Sequence, residues 1–204
     1  MKPVQYTGKL EAIVSAYNAR SDAEKSGSYW EHADVKEVRS HIKKHYIKAQ
    51  GFRCCFCQQH VASSNGRLWD AEHIISRSKA PGFMFDPLNL VVSCPDCNIH
   101  KTNTRTTKGN AKKKYPKDSE YYRVIHPHFD IYKEHILHKH YIYIGKTPKG
   151  SETIRICNLV RYSSEFIDWD SEEDVEEIER YLDEIVAKKK TKKLAKLLAE
   201  IAKG

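Results

Sequence analysis

Two cysteine pairs, Cys54 with Cys57 and Cys94 with Cys97, each set two thiols three positions apart. That spacing lets both thiolates of a pair reach one ion, and two such pairs complete a tetrahedral zinc site. Cys55 competes with Cys54, but pairing it with Cys57 leaves a poorer loop. Cys157 stands alone and reads as a core residue of a strand. The pairs are separated by 36 residues, 58 through 93, where a plain zinc ribbon carries roughly 15–20. That interval holds Glu72, His73 and Asn89, and the second pair runs straight into Asn98, His100, Lys101 and Thr102 in the string CPDCNIHKT.

These residue types suit the cleavage of a phosphodiester. The reaction needs a base to activate water and a cation for the charge that develops on the phosphate and the leaving oxygen. An imidazole serves as base near neutral pH. Carboxylate and amide oxygens suit a hard ion such as magnesium, while thiolates suit zinc. The two ligand sets are interleaved along the chain. That implies two ions with different jobs: zinc to staple the fold, magnesium or manganese at the reacting phosphate.

The order C-x2-C, EHII, an asparagine before an apolar run, then C-x2-C-N-x-x-K-T resembles the HNH endonucleases of the ββα-metal (His-Me finger) class. The resemblance spans about residues 52–104. It implies that His73 is the general base, Glu72 the first ligand of the catalytic metal and Asn98 the second. It implies that Asn89 orients the base through the intervening loop. The family often has Asp or His in place of Glu72 and His in place of Asn98. Both replacements favour magnesium over nickel or zinc. His100, two residues past Asn98, should face away from the ion, because helical neighbours lie three or four apart. Lys101 shares the face of Asn98 and is placed to meet a DNA phosphate, and Thr102 to cap the site. Arg77 reads either as a clamp on the DNA backbone or as a solvated loop residue. The implied activity is metal-dependent hydrolysis of DNA in a bacterial restriction or anti-phage system, with a protein partner such as an ATPase. The alternatives are a zinc-stapled DNA-binding module without catalysis, and an RNase.

The elements that must position these groups follow from periodicity and punctuation. Apolar spacing predicts a helix over 8–20 and another over 34–50, with Asp34 as N-cap and Gly51 just past the end. FRCCFCQQH reads as a knuckle, RLWDAEHIIS as a strand, SKAPGFMFDP as a loop and LNLVVS as a second strand. A short helix is expected from Pro95 to about Thr104. Residues 101–117 contain Lys101, Arg105, Lys108, Lys112, Lys113, Lys114 and Lys117 and no acid. Such a run adds affinity for phosphates without sequence preference. His126, His128, His135, His138 and His140 lie among aromatics near Asp130 and read as a packed structural segment. YIYIG, TPKG and SETIRICNLV read as strand, turn and strand. The tail from Ser171 reads as helical, acidic first and basic after, with an apolar stripe at Leu194, Leu197, Leu198 and Ile201.

The chain has 204 residues and a net charge of +8, with pI near 9.1. A basic balance of this size favours an anionic partner such as DNA. The absence of an apolar run near 18 residues predicts no membrane span. The start, MKPVQYTGKLEAIV, does not resemble a secretory signal. The expectation is therefore a cytoplasmic protein whose cysteines bind metal rather than form disulfides. The expected class is α+β: a ββα-metal HNH core stapled by zinc, with N-terminal helices and a C-terminal β-hairpin plus helical tail. The expected regions are 1–50 (helical), 51–115 (nuclease core) and 116–204 (extension and tail).

Overall fold

The structure, a computed structural model, describes residues 1–109, 114–139, 141–168, 170–173, 175–184 and 186–187. The chain divides into two compact units, Met1–Val160 and Arg161–Gly204.

The first unit is a mixture of helices and two small sheets. Helices α1 (Lys9–Asn18) and α2 (Lys36–Ala49) come first. α2 buries Val38, Ile42 and Tyr46 completely, at successive intervals of four residues. Burying a side chain of this size contributes about 1.5–3 kcal/mol. The Tyr46 hydroxyl accepts from the Val4 amide at 3.1 Å and donates to the Pro87 carbonyl at 2.5 Å, so its burial leaves no polar atom stranded. Asp34 lies in a 3-10 turn, Ala33–Val35, and Val35 takes the position before α2. Past the helix, Gly51 adopts φ 60°, a left-handed conformation that only glycine reaches cheaply.

Strands β1 (Asp70–His73) and β2 (Leu90–Ser93) pair antiparallel, with Asp70 opposite Ser93 and His73 opposite Leu90. β1 is shorter than the RLWDAEHIIS span, because Gly66–Leu68 forms a 3-10 turn closed by Asn65 Oδ1 on the Arg67 amide. The edge of β2 is covered by a side chain: Gln50 exchanges two 2.8 Å hydrogen bonds with the backbone of Val92. An edge satisfied this way does not recruit another strand. Helix α3 (Pro95–Lys101) leaves directly from β2. It stops short of Thr104 because Thr102 turns to a positive φ of 44°. The β1–β2–α3 order is thus present.

α4 (Tyr132–His135), β3 (Ile136–Lys139), β4 (Ile142–Gly145) and α5 (Pro148–Ile156) follow. A hairpin exists, but it falls one strand earlier than expected: β3 pairs with β4, and SETIRI is helical. TPKG is a helix start rather than a turn. Thr147 Oγ1 accepts from the Gly150 amide at 3.1 Å, and Pro148 takes the first helical position. Gly150 is there for close approach, since a Cβ would fall 1.9 Å from the His135 carbonyl oxygen. Cys157 accordingly caps α5 and does not belong to a strand.

The second unit holds α6 (Arg161–Phe166), and the described residues between 172 and 187 are helical. The basic half of the tail, with its stripe from Leu194 to Ile201, lies outside the described residues, as do Lys112, Lys113 and His140. Among the described residues no helix is long and apolar enough to cross a membrane.

Candidate metal centre and active-site pocket

The Sγ atoms of Cys54, Cys57, Cys94 and Cys97 all lie within 4.8 Å of one another, and all four residues are buried. Zinc–sulfur bonds of about 2.3 Å in a tetrahedron set the sulfurs roughly 3.8 Å apart. Cys57 and Cys94 are 4.0 Å apart. The cluster therefore fits a zinc ion. The knuckle that presents Cys54 and Cys57 is closed by the Cys54 amide on Gln59 O and the Gln58 amide on Cys54 O. Cys94 caps α3, its Sγ accepting from the Cys97 amide at 3.5 Å. The neighbouring thiols hold the Cys94 thiol far below the usual range, while burial pushes Cys54 up. Cys55 is buried but outside the cluster, so Cys54 is the partner of Cys57. Cys157 brings its thiol against Cys97.

Beside this centre an open pocket of about 810 Å³ is lined by Asp70, Glu72, His73, Arg77, Asn98 and Lys101, among others. β1 supplies the two carboxylates. Side chains of a strand alternate, so Asp70 and Glu72 share a face. Asp70 was not among the residues singled out from sequence, although the string D-A-E carries that period-two signal. Asn98 Nδ2 donates to Asp70 Oδ2 at 2.8 Å.

His73 is buried at the end of β1. Its Nε2 lies 3.0 Å from the Met84 carbonyl oxygen. A carbonyl only accepts, so Nε2 carries the proton and Nδ1 keeps the lone pair. The Trp30 ring meets the imidazole edge to face, with centroids 4.5 Å apart. Burial pushes the His73 pKa down to about 3; the Met84 carbonyl opposes this, and the charges of Arg77 and Lys101 add to it. The imidazole is thus neutral at ordinary pH.

Asn89 lies behind the pocket and is fully buried. Its Oδ1 accepts from the Ile75 amide at 2.8 Å, and its Nδ2 donates to the carbonyls of Ile75 and Phe83. It thereby ties both ends of the 75–83 loop, next to the Met84 carbonyl that holds His73.

Glu72 is met by the Lys101 ammonium, 2.5 Å from Oε1, as a close ion pair rather than an aligned hydrogen bond. Lys101 Nζ also donates to His73 O at 3.0 Å. Burial raises the Glu72 pKa and Lys101 works against that rise. The carboxylates of Asp70 and Glu72 and the amide oxygen of Asn98 form an oxygen donor set that suits a hard divalent cation. Lys101 already neutralises one of those carboxylates.

Arg77 lines the pocket and donates to Gly27 O and, at 2.9 Å, to Glu31 Oε1. Lys101 is buried in the pocket wall. Arg105, Lys108 and Lys114 are exposed, and Lys108 pairs with Glu120 at 3.3 Å. His100 and Thr102 are exposed; of the two, Thr102 joins the pocket rim. α2 adds Lys36, Arg39, Ser40 and Lys43 to the lining. Their interval of three and four residues was visible in the sequence, but nothing local tied it to the site.

The histidine-rich segment is packed. His126 Nδ1 accepts from the His128 amide at 3.3 Å, which leaves Nε2–H to the Tyr115 hydroxyl at 2.9 Å. The ring stacks on Phe129 at 4.0 Å. Among the described residues, the four cysteines are the group of His, Cys, Asp or Glu ligand atoms close enough together to hold a metal ion.

A knuckle and the start of α3 carry the two thiol pairs, and a histidine, two carboxylates and an asparagine line one pocket beside them. Residues 54–104 match the HNH endonuclease family. The HNH match begins at the first clustered cysteine and runs three residues past Lys101, so it contains every candidate ligand named above. The chain is also similar to a Septu protein PtuB of Bacillus thuringiensis, with 24% identity over 121 residues. That alignment covers 59% of this chain and 42% of the relative, so the chain spans less than half the length of the curated relative it matches. No solved structure matches it.

Proposed function

We propose that this protein is a metal-dependent HNH endonuclease that hydrolyses DNA phosphodiester bonds in a bacterial anti-phage or restriction system. One observation carries the reading: His73 lines the pocket that also holds Asp70, Glu72 and Asn98, and its Nε2 is taken up by the Met84 carbonyl, which leaves Nδ1 with the lone pair. His73 Nδ1 takes the proton of the attacking water. The Met84 carbonyl keeps it in the required tautomer, and Asn89 braces the loop from which that carbonyl comes. Asp70, Glu72 and Asn98 would hold magnesium or manganese, which when bound neutralises charge on the phosphate and the leaving 3′-oxygen. The four cysteines would hold zinc as a scaffold. Arg77, Arg105, Lys108, Lys114 and the basic run around them would bind DNA phosphates, and Lys101 sets the charge of the pocket floor. In this reading residues 51–115 form the nuclease core, flanked in sequence by a helical region, 1–50, and an extension with a tail, 116–204. The similarity to a Septu protein PtuB supports the defence context. A cytoplasmic location and a protein partner such as an ATPase belong to that context.

Plasmid nicking tests it. With magnesium, wild type should nick and His73→Ala should lose roughly 10²–10⁴-fold, with zinc content unchanged and the fold retained at a lower Tm. Equal nicking by both overturns the reading. A second reading, a zinc-stapled DNA-binding module without catalysis, is favoured by one contact: Lys101 already supplies Glu72 with a cation. It predicts DNA binding by both proteins and nicking by neither.

A further inference from the structure

Two arginines from different parts of the chain converge on one carboxylate at the pocket mouth. Glu31 Oε1 accepts from Arg77 Nη2 at 2.9 Å, and Glu31 Oε2 lies 3.5 Å from Arg39 Nη1. Each guanidinium is separately tied to backbone, Arg77 to Gly27 O and Arg39 to Trp30 O. The arginines are therefore held in place without Glu31. The Glu31 side chain is 65% exposed, so its ion pairs are weak. A guanidinium fork that fits a carboxylate also fits a phosphodiester, which bears the same single charge.

The arginines do not stand alone. Lys36, Arg39 and Lys43 lie on one face of α2 and line the same pocket. From Lys36 to Lys43 the helix rises about 10.5 Å. The phosphates of one strand rise about 3.4 Å each along the duplex axis, so a row aligned with that axis spans about three. The pocket lining thus includes a row of cations from α2 together with Asp70, Glu72 and His73 from β1.

We propose that Arg39 and Arg77, with Lys36 and Lys43, form a phosphate-binding track that lays a DNA strand alongside His73. Glu31 holds the two arginines apart from solvent anions until a backbone phosphate displaces it. The track rests on the nucleic-acid reading above and adds the surface that seats the substrate.

Fluorescence anisotropy with labelled duplex DNA, without added divalent metal and across a salt series, tests the track. Arg39 supports Trp30, so the variants avoid it. Lys36→Ala should lower the steepness of log K against log salt by about 0.9. Lys48→Ala removes the same charge from an exposed position of α2 outside the pocket, and should leave the slope unchanged. Glu31→Gln should tighten binding by up to about fivefold. Glu37→Gln, a charge-matched control on α2, should not. Equal slopes for the two lysine variants, or equal affinities for the two glutamate variants, overturn the track and leave the nuclease reading to the nicking assay. A wild type that binds no DNA overturns the nucleic-acid reading and the track with it.

Discussion

The ammonium of Lys101 and the carboxylate of Glu72 meet at 2.5 Å with only 2% and 6% of their side chains exposed. Neither charge is stable there alone. Lys101→Met should therefore destabilise the fold by about 3–5 kcal/mol, because it leaves a buried carboxylate without its partner. Adding Glu72→Gln should restore much of that loss. Urea unfolding of both single variants and the double variant checks the coupling; additive losses would show that the pair is not held as described.

Asn89 satisfies one amide and two carbonyls that water does not reach. Each stranded group costs roughly 1–3 kcal/mol. Asn89→Ala should lose about 3 kcal/mol or more and speed hydrogen exchange at the Ile75 amide ahead of the amides of β1. Unchanged exchange at Ile75 would remove Asn89 as the brace of the loop.

Zinc content separates the two candidate cysteine sets. Cys57→Ser should remove the ion and lower Tm sharply, since structural zinc contributes folding free energy directly. Cys55→Ser should keep a full complement, because Cys55 lies outside the cluster. Elemental analysis of the two purified variants reads this directly.

Acid should unfold the first unit in part through His126. Burial pushes its pKa down to about 3; the charges of His128 and Lys149 add to this, and Asp130 opposes them. The folded state keeps the ring neutral below 6.5, where the unfolded chain takes up a proton. The contribution is thus complete above about 6.5 and is lost as pH falls toward 3, at up to about 1.4 kcal/mol per pH unit. His126→Leu, although weaker at neutral pH for want of the Tyr115 bond, should flatten the stability–pH slope in that window. An unchanged slope would assign the acid sensitivity elsewhere.

Much of the site was legible because its signals are local. The cysteine spacing named the cluster, and EHII and Asn98 named pocket residues, with Asn89 buried behind them. α2 and α3 came within a few residues of their predicted bounds. The hairpin was misplaced because Pro148 and Gly150 punctuate both turns and helix starts, and only the approach of α5 to the His135 carbonyl distinguishes them. Lys101 was expected to point at DNA. Its face of α3 is the one named, but that face packs on β1, and a charge there finds Glu72 before it finds a phosphate.

By itself the sequence determined the chemistry on offer: soft sulfur donors in pairs, a histidine beside a carboxylate, and an asparagine on a short helix. Those choices depend on neighbours a few residues apart. Tertiary structure decided which groups share a cavity: Asp70 beside Asn98, Lys101 turned inward, and a row of cations on α2 facing β1. Such partners lie about thirty residues apart along the chain, and only the packing of α2 and α3 around the β1–β2 pair brings them within reach of one another.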